Sequence, residues 1–163
     1  MTNISLAAEN SVKSYRKAIS FFSLVVLLPF LLSLINITFA ENWKIHFFPA
    51  AIILAAIVFG ATGGIIAGIS GSLYSALFLG NPYILVGNAL FGLLIAVFYK
   101  KNDKIVPSVL LAYLCELPWL ILTDYYLVHL SSTFIAKLIL VLFLANVLWA
   151  VLINISMKQI RKL

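Results

Sequence analysis

The chain has 163 residues, 64% of them hydrophobic and 10% charged, and its mean hydropathy is +1.13. Soluble domains carry roughly 45–50% apolar and about 25% charged residues, so a soluble globular domain and a disordered chain are excluded. The net charge of +6 sits in short basic blocks between apolar runs, a topology signal rather than a nucleic-acid signal, and the single Cys115 can form no internal disulfide.

The first 17 residues are mostly polar and end in Lys13, Arg16 and Lys17. An apolar run follows over residues 18–40. Thr38-Phe39-Ala40 loosely resembles a signal-peptide cleavage site, but the run is long enough to span a membrane and reads as a helix. Residues 41–46 break the pattern with Glu41, Lys44 and His46, and residues 47–99 then carry no charge at all. A span needs roughly 20 residues at about 1.5 Å rise each, so this stretch holds two or three spans. Gly80-Asn81-Pro82 is a turn within it. A break near residues 59–64 divides what precedes that turn into short helices at 47–60 and 62–79, the alternative being one span with a re-entrant turn. A helix at 83–99 exits into Lys100, Lys101 and Lys104. Further helices are predicted at 106–127 and 133–155, and the chain ends with Lys158, Arg161 and Lys162.

Basic residues flank the cytoplasmic ends of membrane helices. With all three blocks inside, an even number of crossings separates them, and four before Lys100 plus two after it meet that condition. The expectation is an all-α integral membrane protein, a single transmembrane domain over residues 1–163 with six helices and both termini cytoplasmic. The outer loops are then residues 41–46, 80–82 and 129–132.

Gly60, Gly64 and Gly68 recur every fourth residue, and Ala51 and Ala55 repeat the theme upstream. Such a stripe lets another backbone approach closely. It serves packing within the chain or docking of another membrane subunit, and the two can coexist on different sides of the helices at 47–60 and 62–79.

Glu116 is the most informative polar residue. It lies about 11 residues from either end of the 106–127 helix, roughly 16 Å deep, where a carboxylate is costly and marks a cavity or a partner. Tyr113, Trp119, Leu120 and Thr123 share its face at helical spacing. An acid flanked by aromatics suits a cationic or heteroaromatic ligand. The alternative is a protonated Glu116 bonded to a neighbouring helix. Asn88 lies about two turns below the 80–82 turn. Lys137 and Asn146, nine residues apart, point to opposite sides of the last helix; Asn146 and Trp149 are expected to face the bundle, with Lys137 snorkelling or pairing with Asp124. No HExxH, P-loop, GxSxG or Cys/His cluster is present, so no enzyme activity and no metal site is expected.

The short segment at 47–56, FGATGGIIAGISGSLYSALF (59–78), GNP (80–82) and LVGNALFGLLIAVFYKK (85–101) together resemble the substrate-binding S components of energy-coupling-factor (ECF) vitamin transporters. The resemblance implies a multi-pass protein of a prokaryotic plasma membrane with a six-helix S-component-like bundle. It implies capture of a small water-soluble vitamin or precursor from outside, in a pocket in the outer half. It also implies a transmembrane coupling subunit and two ATPase subunits as partners; ATP is hydrolysed by those partners, and this chain holds no cofactor. The substrate-binding candidates are Asn88, Tyr113, Glu116, Trp119, Thr123, Asn146 and Trp149. The partner-docking candidates are Ala51, Ala55, Gly60, Gly64 and Gly68. The first apolar segment lacks the Ala-x-x-x-Ala pair of many S components, and no histidine precedes His46, unlike the nickel and cobalt members. The competing reading is a non-transporting scaffold similar to membrane subunits of the rod-shape machinery. A small channel or ion-coupled carrier is a third, disfavoured because the inner halves of the helices at 47–60, 62–79 and 83–99 are nearly free of polar side chains.

Overall fold

The computed structural model describes residues 14–39 and 43–160. Lys13, Arg161 and Lys162, with Ala40 at the end of the first expected helix and Glu41 and Asn42 of the first expected loop, lie outside them. Among the described residues five helices are long and apolar enough to cross a membrane. These are α1 (Ser14–Ser33), α2 (Phe48–Leu79), α3 (Tyr83–Asn102), α4 (Ile105–Leu127) and α5 (Ser132–Ile160). A two-stranded antiparallel ribbon, β1 (Asn36–Phe39) and β2 (Trp43–His46), joins α1 to α2.

The ribbon corrects the expectation of one helix over 18–40. The last turn of α1 tightens, with Leu34 N–H donating to the Leu31 carbonyl and Ile35 N–H to that of Leu32. Ile37 and Thr38 are β-branched, and branched side chains favour extended backbone over helix. The strands pair with Asn36 opposite His46 and Phe39 opposite Trp43. Upstream, α1 widens over Ser23–Leu27 into a π-type turn. Such a turn leaves a carbonyl free for an outside donor, and the Ser70 hydroxyl donates to the Val25 carbonyl at 3.0 Å.

α2 is not a continuous rod. Gly60 has φ 68° and ψ −155°, a conformation essentially confined to glycine. The chain reverses there. A Cβ placed on Gly63 would lie 2.7 Å from the Ala55 carbonyl oxygen, one on Gly64 3.1 Å from Ala56 Cβ, and one on Gly71 3.1 Å from Phe48 Cδ2. In an unbroken helix Phe48 and Gly71 would stand about 35 Å apart. The first limb, 48–59, and the second, 61–79, therefore lie antiparallel, and the break sits within the expected 59–64 segment.

The second limb packs on α3 almost backbone to backbone. A Cβ on Gly64 would collide with the Gly92 carbonyl, and one on Gly68 with that of Asn88. Ala51 and Ala55 are 2% and 1% exposed. Four of the five residues considered for partner docking are thus consumed by packing within the chain, and Gly60 serves the reversal. This corrects the docking expectation: a stripe already filled by its own neighbours has no room for another backbone. The remaining core is aliphatic and aromatic, with Val25, Ile52, Ile53, Phe91, Ile95, Val109 and Ala150 buried in one cluster.

α3 ends at Asp103, whose left-handed φ of 51° closes the helix. α4 continues through Pro118 and widens into a second π-type turn over Leu122–Leu127. The turns at 80–82 and 128–131 lie at one end of the bundle, tied together by Asn81 and Asp124. Gly60 and the α3–α4 turn with Lys104 lie at the other.

Candidate functional site

A cavity of about 230 Å³ lies between α2, α3, α4 and α5, in the half that carries the 80–82 and 128–131 turns. Its floor and sides are apolar, with Phe48 and Pro49 from the first limb of α2, Ile84 and Phe91 from α3, and Leu138 and Leu142 from α5. Polar side chains project into this apolar shell.

α4 contributes most of them. The 3.6-residue period puts Tyr113, Glu116, Trp119, Leu120 and Thr123 on one face, and all five line the cavity. The Tyr113 hydroxyl donates to the Ile139 carbonyl at 2.6 Å. The Trp119 indole N–H donates to the Tyr83 carbonyl at 3.3 Å. The Thr123 hydroxyl donates to the Trp119 carbonyl of its own helix at 2.9 Å. These bonds fix the face without using Glu116, whose carboxylate accepts no hydrogen bond from any described residue.

Gly87 explains how Glu116 and Trp119 fit. A Cβ at that point of α3 would lie 3.1 Å from Glu116 Oε1 and 3.3 Å from Trp119 Cδ1. The missing side chain is filled by the acid and the indole. The next residue, Asn88, also lines the cavity, with an amide N–H donated to the Ile84 carbonyl at 3.0 Å. From α5, Asn146 faces inward and is 7% exposed, whereas Lys137 is exposed and absent from the wall.

Six of the seven expected binding residues thus meet around one cavity: Asn88, Tyr113, Glu116, Trp119, Thr123 and Asn146. Trp149 does not, which corrects its placement. Its indole N–H donates to the His46 carbonyl at 3.1 Å, and its ring lies 4.9 Å from that of Phe47. It buttresses the base of the ribbon. Pairing of Asp124 with Lys137 is also replaced. Asp124 Oδ1 accepts from Asn81 Nδ2 at 3.1 Å, while Asn81 Oδ1 accepts from the Tyr83 N–H at 3.1 Å. Asn81 is 6% and Asp124 7% exposed, and both line the cavity.

Sequence reasoning missed Asn81, Asp124, His46 and Ser75 as wall residues. A usable signal existed for Asn81, since an Asn inside a Gly-Asn-Pro turn is built to bond its own backbone two residues on. Ser75 carried none. Its buried hydroxyl has no hydrogen-bond partner in the structure. Among the described residues no three His, Cys, Asp or Glu side chains gather to hold a metal ion.

In comparisons with known proteins, no family model, no curated protein and no solved structure matches this chain.

Proposed function

We propose that the chain is a multi-pass protein of the cell membrane that captures a small water-soluble vitamin or precursor, as the S component of an ECF-type uptake transporter. One observation carries the reading: a cavity inside a bundle of apolar helices, holding a carboxylate that nothing among the described residues pairs. Burying an unpaired acid among apolar helices is expensive, and such groups face a ligand or ion by default.

In this reading the two limbs of α2 count as separate crossings, so the bundle crosses six times and both termini are cytoplasmic. Lys100, Lys101, Lys104 and Lys158 then lie inside with Arg16 and Lys17, as the positive-inside rule requires. The cavity falls in the outer half, open to extracellular substrate. A coupling subunit and two ATPases would supply the energy, so this chain needs no nucleotide site. With the glycine stripe covered, partner docking falls to another face. The scaffold reading calls for no cavity here and for a Glu116 bonded to a neighbouring helix, and neither fits the geometry around Glu116.

The test is chemical. The full chain is purified, denatured, and its released small molecules are identified by mass spectrometry beside a Glu116→Ala variant. A stoichiometric water-soluble compound, absent from the variant, is the expected result. An empty cavity in protein purified gently in lipid nanodiscs, together with stable association to another membrane protein, would favour the scaffold.

A further inference from the structure

We infer that the cavity takes a compact organic cation that donates hydrogen bonds, and that it turns away carboxylates and phosphates. This rests on the capture reading above and narrows it to one class of ligand.

What each polar group has left to offer decides the chemistry of the ligand. A hydroxyl carries one proton and an indole one N–H. Tyr113, Trp119 and Thr123 have each given theirs to a main-chain carbonyl. Asn88 has given one of its two N–H bonds to Ile84, and Asn81 has given one to Asp124. The charged groups that remain are acceptors. Among the described residues nothing donates to either Glu116 oxygen, to the second Asp124 oxygen or to the amide oxygens of Asn88 and Asn146. The donors left to a ligand are all neutral, among them the Ser75 hydroxyl, the Asn146 amide and the second N–H of both Asn88 and Asn81.

Charge points the same way. Among the described residues the wall holds two carboxylates, the His46 imidazole, and no lysine or arginine. Lys137, the cation that could have reversed this, is exposed on another side of α5. An anion entering here would be stripped of water and set beside Glu116 without compensation. A cation would give Glu116 the partner it lacks, in a low-dielectric setting where an ion pair is strong. Glu116 is also held in place, packed into the gap at Gly87 beside Trp119, which its bond to Tyr83 anchors. Aromatic side chains on the same face as the acid favour a flat cation. At about 230 Å³ the cavity falls below the roughly 300–1,000 Å³ of drug-sized pockets, which keeps the ligand small.

Three probes of one shape separate the terms: benzamidinium, neutral benzamide and benzoate. Each is titrated into the full chain in nanodiscs, by calorimetry and by thermal shift, with Glu116→Gln beside it. Benzamidinium is expected to bind at least roughly tenfold more tightly than benzamide, with no binding of benzoate, and the Gln variant is expected to erase that preference. Benzoate binding as tightly as benzamidinium to the wild-type chain would overturn the inference, and that comparison needs no variant to fold. So would an unchanged preference in a folded Gln variant. The compound released on denaturation separates the two levels. A stoichiometric anion, or a neutral molecule without N–H groups, sinks the cation and leaves the capture reading standing. No released compound and no binding of any probe sinks both.

Discussion

Helix α3 has two glycine-lined seams, and they do opposite things. Toward the second limb of α2, Gly92 meets Gly64 and the Asn88 carbonyl meets Gly68, so two backbones touch with nothing between them. Toward α4, Gly87 meets Glu116 and Trp119. Gly87 and Gly92 are five residues apart, about 140° around the helix, so each addresses a different neighbour. One glycine removes space and makes a rigid seam. The other creates space and seats the Glu116 carboxyl. A small residue in a membrane-type helix is therefore not by itself a sign of tight helix contact; what fills the space decides.

The contrast can be broken most forcefully at Gly64. Gly64→Leu must drive α2 and α3 apart, since even a Cβ collides with the Gly92 carbonyl. The expected cost is about 3 kcal/mol or more, seen as loss of monodisperse protein on size exclusion. Gly60→Ala is next. Nothing lies within 4 Å of the new methyl, so only backbone strain acts, and about 2 kcal/mol of destabilisation is expected in thermal unfolding. Asn81→Ala removes both the bond to Asp124 and the acceptor for Tyr83 N–H; about 1 kcal/mol is expected. The smallest effect on stability comes from Gly87→Ala. Alanine gains helix propensity while Glu116 and Trp119 must yield by tenths of an ångström, so the net change should stay under about 1 kcal/mol. Ligand binding should nevertheless weaken several-fold. If Gly87→Ala lowered stability as much as Gly64→Leu, the two seams would be of one kind.

Much of the cavity was legible because helical periodicity is local. Glu116, Tyr113, Trp119 and Thr123 fall on one face by spacing alone, and nine residues suffice to turn Asn146 and Lys137 apart. The reversal was legible as a glycine-rich break. The ribbon was not, because Asn36–Phe39 continues an apolar run and its extended state depends on pairing with Trp43–His46. The Asn81–Asp124 bond spans 43 residues, and no sequence period encodes such a meeting. Trp149 fell on the expected side of α5, yet its N–H went to a ribbon whose existence the sequence hid. The glycine stripe left open who would fill it, and the chain's own α3 does.

The reversal at Gly60 has a consequence for biogenesis. The first limb, 48–59, is about 18 Å long, well short of a hydrocarbon core of about 30 Å. Released alone into a bilayer, it would be too short to settle as an independent span. Its antiparallel partner supplies what it lacks, since Ala55 and Ala56 seat on Gly63 and Gly64 and Phe48 on Gly71. The two limbs are therefore expected to partition into lipid together, as a preformed hairpin, with the tight Gly60 bend leading. Such a unit makes insertion of the chain's first half a matter of timing. The bend has to be made before the lipid is reached.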